Sequence, residues 1–223
     1  RTPCPGMLPL ASTGNPALAD GRSGWLAEEC RALGVDILLG PGANIQRLSV
    51  GGRNFEYMGE DPLLTAAIST AYVKGLQEGG IIATPKHFLG NDQDFCRHIA
   101  NSVIDERTLR EIYLPPWERM FTEGGCLGMM TGNNLTNGLP CPMNKPLITD
   151  ILRAEYGFSG LALTDWQNTN YYPDLQHLVL TPGETLLMPE NTALKQYVLR
   201  EIAVSPERQA EVEGLPGRMT SPP

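Results

Sequence analysis

The chain has 223 residues, 41% of them hydrophobic, and 17 Lys and Arg against 25 Asp and Glu give a formal net charge of -8. That length and apolar content suit one domain with a sizeable core and argue against a disordered chain. The acidic balance, with an isoelectric point near 4.9, argues against nucleic-acid and anionic-membrane partners, which need clustered Lys and Arg, and no apolar run is long enough to span a bilayer.

In chain order, residues 15–33 form a helix candidate that precedes a first strand at 35–40 (Val35-Asp36-Ile37-Leu38-Leu39-Gly40). A glycine-rich stretch follows, then a helix at 61–78 with Asp61 as N-cap and Pro62 at the first helical position. A second strand is expected at 81–88 and a helix at 105–122, capped by Asp105. A third strand lies at 127–131, and a helix at 146–156 is ended by Gly157. A fourth strand at 161–165 and a fifth at 185–189 complete the pattern. The strand runs are continuously apolar rather than alternating, as strands buried on both faces are. Strand and helix in alternation is the signature of a parallel sheet or barrel. The fold class is therefore α/β, with mainly parallel strands. Residues 1–204 read as one domain. Residues 205–223 read as a tail in which 207–213 could extend a helix before Gly214-Leu215-Pro216-Gly217 breaks it.

Polar residues collect at the strand ends. The second strand ends in Lys86-His87-Phe88, the third runs to Met130 and on to Asn133-Asn134, and the fourth ends in Asp165-Trp166, while Arg53 follows the glycines after the first. In a βα barrel these ends form one rim. A carboxylate there can attack an anomeric carbon, Arg and Lys can bind sugar hydroxyls and keep the carboxylate ionised, and an indole offers a flat apolar face to a sugar ring. Taken singly, a strand-end Asp is more often a helix cap or turn former. Gly40-Pro41-Gly42 and Gly51-Gly52 lack the Lys-Ser/Thr of a phosphate loop and read as tight turns. The five cysteines, Cys4, Cys30, Cys96, Cys126 and Cys141, have no zinc-site spacing and read as buried free thiols. No metal or other cofactor is expected.

Several of these segments together resemble glycoside hydrolase family 3, which includes β-glucosidases. They are Gly40-Pro41-Gly42-Ala43-Asn44-Ile45, Gly51-Gly52-Arg53-Asn54-Phe55-Glu56-Tyr57 with Glu60-Asp61-Pro62, Lys86-His87-Phe88, the run from Asp105 to Pro115, and Gly157-Phe158-Ser159-Gly160 leading to Thr164-Asp165-Trp166. The resemblance covers roughly residues 10–189. It implies a TIM-type barrel, incomplete or partly open because only five strands are recognised where a full barrel has eight. It also implies a retaining exo-glycosidase acting on β-linked glucosides, with Asp165 as catalytic nucleophile. Arg53, Lys86, His87 and Met130 fall at positions of the first sugar subsite, and Trp166 at one flanking the leaving group.

Three departures stand out. Where the family usually places a Tyr beside the nucleophile, this chain has Asn133. The family's general acid/base comes from a second domain, and a substrate-binding Asp from an upstream segment, neither of which is found in this chain. A weakened or inactive carbohydrate-binding remnant is therefore an alternative, and so is a β-N-acetylglucosaminidase-like enzyme using His98. The partner expected is a small carbohydrate. Uncovered sheet edges favour self-association, so a homo-oligomer is expected as well. The sequence Asn134-Leu135-Thr136 fits a glycan acceptor, but its place beside the pocket argues against modification. No signal peptide is visible; the chain opens at Arg1, which reads as a processed or truncated start and leaves the compartment open.

Overall fold

The computed structural model describes residues 3–180, 183–189 and 192–206. Its centre is a layer of parallel strand segments laid down in chain order. Strand β1 (Ile37–Leu38) pairs with β2 (Ile82–Ala83), placing Ile37 opposite Ile82. The next pairing runs from Gly42 to β3 (Lys86–Phe88). Strand β3 pairs with β5 (Gly128–Thr131), β5 with β8 (Leu161–Leu163), and Leu163 with Leu186, every pair parallel. Four of the five strands read from the sequence are present in the expected order and shorter than their apolar runs, the second split into β2 and β3, while the fifth is reduced to a single bridge at Leu186. Among the described residues the first and last segments do not pair, so no closed barrel forms. No helix is long and apolar enough to cross a membrane.

Helices cover this layer. Helix α2 (Pro16–Ala32) starts at Asn15, whose side chain accepts from the Ala17 N–H, and α3 (Pro62–Glu78) starts at Asp61, whose carboxylate accepts from Leu63 and Leu64. Both carry proline where its missing N–H costs nothing. The two helices pack closely because Gly75 faces Ser23 and Asp20, and Gly79 faces Ala27. The core they share with the strands includes Ile68, Leu76, Phe88, Met129 and Ala162. Phe88 meets the edge of the buried Trp117, ring centroids 5.0 Å apart.

The expected single helix at 105–122 is instead three pieces: α4 (Glu106–Thr108), a wide π-type turn at Leu109–Tyr113, and α5 (Pro115–Thr122). Pro115 and Pro116 lack the N–H groups that would carry the ladder through. The segment Pro146–Glu155 is also wound as a π-helix, and Gly157 at φ 68° ends it, as expected of a C-terminal glycine.

Three features went unforeseen. Helix α1 (Met7–Ala11) precedes α2. A small second sheet joins β4 (Asn101–Ser102) in parallel to β6 (Leu135–Thr136), which turns back on β7 (Leu139–Pro140). Helix α6 (Thr192–Val204) places Leu194 against Met143 in a satellite cluster. Of the expected tail, residues 207–223 lie outside the described residues. All five cysteines are free, but Cys4 and Cys96 are exposed, which corrects the reading of every thiol as buried. Asn134 is buried and donates to the Leu89, Gly90 and Leu135 carbonyls, so a glycan cannot be attached there in the folded chain.

Candidate functional site

The C-terminal ends of the strands open into a cleft of about 420 Å³. Arg53, Lys86, His87, Met130, Asp165 and Trp166 all line it, so the six residues selected from sequence meet in one place. Phe55, Asp94 and Arg97 join them. The glycines that bring Arg53 here act through close approach. A Cβ on Gly42 would sit 2.6 Å from the Glu56 carbonyl, and one on Gly52 would sit 2.9 Å from the Asp94 carboxylate. Only a residue without a side chain lets the loop fold back against the strand end.

Asp165 stands two residues past the last residue of β8 and is 4% exposed. Its Oδ1 accepts from the Trp166 N–H at 2.7 Å, and its Oδ2 accepts from Asn133 Nδ2 at 2.7 Å. His87 Nε2 lies 3.6 Å from the same Oδ2. The carboxylate is thus buried, oriented from both oxygens and turned to the cleft.

Cations surround it in an ordered way. Glu56 pairs with the Arg53 guanidinium and stands 3.5 Å from Lys86 Nζ, so one carboxylate sets the spacing of two cations on the cleft wall. Asp94 and Arg97 pair at 3.5 Å on the opposite loop. His87 is held from several sides. Its backbone N–H donates to Asn44 Oδ1 at 2.6 Å, its carbonyl accepts from Asn44 Nδ2 at 2.9 Å, and its Nδ1 lies 3.0 Å from the Tyr57 hydroxyl. Burial, reinforced by the positive charges of Arg53, Lys86 and Arg97, pushes its imidazole well below the ordinary 6.5, so the ring is neutral.

The other local candidate, His98, stacks on Tyr171 at 3.8 Å and is not among the residues lining the cleft. Its ring nitrogen Nδ1 is buried without a partner. Tyr172 ties this loop to the third strand end, its hydroxyl donating to the His98 carbonyl and, at 3.3 Å, to that of Asn133.

Sequence reasoning overlooked three kinds of residue. Asn133 was read only as a missing phenol, yet its amide occupies the position beside Asp165. Glu56 and Asn44 lie inside segments already singled out, and their chemistry could have marked them as partners of Arg53 and of a buried backbone. Tyr57 lies in the same singled-out segment as Glu56 and Asn91 in none, and the role of both depends on a pairing across 34 residues.

The arrangement matches known proteins along its length. Residues 1–193 match the family model of the Glycosyl hydrolase family 3 N terminal domain. The chain is 44% identical over 167 residues to β-glucosidase B of Emericella nidulans, covering 75% of this chain and 19% of that protein. It is 41% identical over 162 residues to a β-glucosidase of Rhizobium radiobacter, covering 73% and 20%. Among solved structures, β-glucosidase 3B from Thermotoga neapolitana in complex with α-D-glucose superposes with a TM-score of 0.84 at 35% identity, over 93% of this chain and 30% of that one. The chain spans about a fifth of the length of these curated relatives.

Proposed function

The chain belongs to glycosyl hydrolase family 3, and on that footing we propose that it carries the nucleophile and first sugar subsite of a retaining β-glucosidase. In this reading the five parallel segments are part of a TIM-type barrel, with residues 1–204 as the catalytic domain. The sugar ring sits among Arg53, Lys86, His87 and Met130, and Trp166 faces the leaving group.

A carboxylate oxygen of Asp165 attacks C1, the bond from C1 to the departing oxygen breaks, and its electron pair leaves with that oxygen, which takes up a proton from solvent. Water then attacks C1 of the glycosyl ester, releasing the sugar and restoring the Asp165 carboxylate. The observation that carries this reading is the placement of Asp165: buried, held from both oxygens, and facing a cleft lined with sugar-binding side-chain types. Asp94 and Glu56 each pair with a cation, and no side chain of the cleft is given the role of proton donor. Glucose is the preferred sugar because the relatives are named β-glucosidases and a solved one holds glucose.

An activated aryl β-glucoside, whose leaving group needs little protonation, tests this directly. The wild-type chain should release the aryl alcohol, and Asp165→Ala should be slower by at least 10²-fold. Equal rates would remove Asp165 from the mechanism. Glucose binding without any release would support the carbohydrate-binding remnant instead. The same reading includes self-association through the unpaired sheet edges, and a single monomeric species across concentrations in sedimentation would count against that part.

A further inference from the structure

Behind the cleft wall, Tyr57 and Asn91 form a hydrogen-bonded relay to His87, and neither of the two lines the cleft. Tyr57 is 3% exposed, Asn91 2% and His87 1%. Asn91 Nδ2 donates to the Tyr57 hydroxyl oxygen at 3.1 Å, and that hydroxyl lies 3.0 Å from His87 Nδ1. The two rings meet edge to face, centroids 6.2 Å apart and planes at 81°. On the far side of the imidazole, Nε2 is 3.6 Å from Asp165 Oδ2.

We propose that Tyr57 and Asn91 are positioning residues that, together with the charge of Asp165, hold His87 in the tautomer carrying its proton on Nε2, aimed at Asp165. An amide nitrogen can only donate, so the phenol oxygen accepts from Asn91 and its own proton is free for His87 Nδ1. A neutral imidazole that accepts at Nδ1 must carry its proton at Nε2.

The phenol could also accept from both Asn91 and Nδ1–H, but its own buried proton would then have no acceptor among the described residues, so the relay runs backwards only if the Asn91 amide is turned over. The phenol would then donate to Asn91 and accept from Nδ1–H, leaving a bare Nε2 lone pair facing a carboxylate oxygen. Asn91 Oδ1 has no hydrogen-bond partner, so the far end of the amide holds it in neither sense. The choice falls to Asp165, whose negative charge favours a donor opposite it. His87 thereby presents an N–H to the cleft without adding a positive charge beside Arg53 and Lys86. Its use in orienting the nucleophile or a sugar hydroxyl rests on the hydrolase reading; the tautomer itself does not.

The test is the tautomer state of His87 in the full chain, read by long-range ¹⁵N–¹H NMR correlation and assigned by loss of its signals in His87→Gln. The wild type is expected to show a pyrrole-type Nε2 and a pyridine-type Nδ1. Tyr57→Phe, which keeps the ring contact and removes the hydroxyl, is expected to add a measurable Nδ1–H fraction. Asp165→Ala, which removes the group that sets the direction, is expected to do the same and serves if Tyr57→Phe fails to fold. A wild-type ring protonated on Nδ1 overturns the proposal, and so does the wild-type pattern persisting in either variant that folds. On aryl β-glucoside, Tyr57→Phe is expected to lower kcat/KM about tenfold, the loss of one hydrogen bond. The NMR readout needs no turnover, so a chain that fails to hydrolyse the glucoside refutes the hydrolase reading and leaves this inference to stand or fall on the spectra.

Discussion

Replacing Asn133 by alanine isolates what holds the proposed nucleophile in place. The Asn133 amide donates to Asp165 Oδ2 at 2.7 Å from a site 1% exposed to solvent. A hydrogen bond to a charged group contributes about 1.5–3 kcal/mol, which corresponds to roughly 10- to 150-fold in rate. The other oxygen keeps its bond from the Trp166 N–H, so the carboxylate of the variant can pivot about that contact without leaving the cleft. The loss should therefore appear in kcat, with KM for an aryl β-glucoside little changed, because Asn133 does not line the cleft. Asn133→Asp sharpens the test. It keeps the shape and replaces a donor by a second carboxylate, so its activity relative to wild type should rise as pH falls and one proton becomes shared by the pair. Initial rates from pH 4 to 8 check both variants. A kcat for Asn133→Ala within threefold of wild type, or an Asn133→Asp to wild-type ratio that is flat across pH, would refute the reasoning.

Two further expectations concern stability. Burial raises the Glu184 carboxyl from 4.5 to about 8 against the opposing influence of Thr131 and Arg153. Arg153 donates to the carbonyls of Phe158, Gly160 and Gly183, and among the described residues Glu184 has no ion-pair partner. Because the folded value is the higher one, its contribution is present below pH 4.5 and lost as pH rises toward 8, by up to about 5 kcal/mol. Glu184→Gln should flatten the unfolding free energy measured by urea titration between pH 5 and 9, and parallel profiles for variant and wild type would contradict this. Gly75→Ala should cost about 1–3 kcal/mol, since the new Cβ would meet Ser23 Oγ at 2.3 Å and the Asp20 carbonyl at 2.4 Å across the α2–α3 contact; an unchanged or higher Tm would show that these helices can separate.

Much of the architecture can be read from local chemistry. Asn15, Asp61 and Gly157 mark helix ends through their own side chains or φ, and the apolar runs at 35–40, 81–88, 127–131 and 161–165 mark strands, although Ile37 and Leu127 stay exposed and only the inner strands are covered on both faces. The breaks at Leu114–Pro115 were visible as two prolines, but the helical period on either side concealed them. The small sheet of β4, β6 and β7 was not legible, since two-residue strands carry no periodicity and depend on contacts such as that of Asn137 with Ile104. At the site the pattern is similar. Asp165, Arg53, Lys86, His87, Met130 and Trp166 declared themselves by type and by position at strand ends. Their supporting residues did not, because Asn133, Tyr57 and Asn91 act only through partners that folding brings together.

The central claim is a covalent bond at Asp165, and trapping it is the most direct test. A 2-deoxy-2-fluoro β-glucoside with an activated leaving group slows release of the sugar from the enzyme more than its capture. Incubated with the chain, it should add the mass of one fluoroglucosyl group, and peptide mapping should place that group on Asp165, with no adduct on Asp165→Ala. Turnover of the aryl glucoside without an adduct, or an adduct on Asp94 or Glu56 instead, would contradict the account.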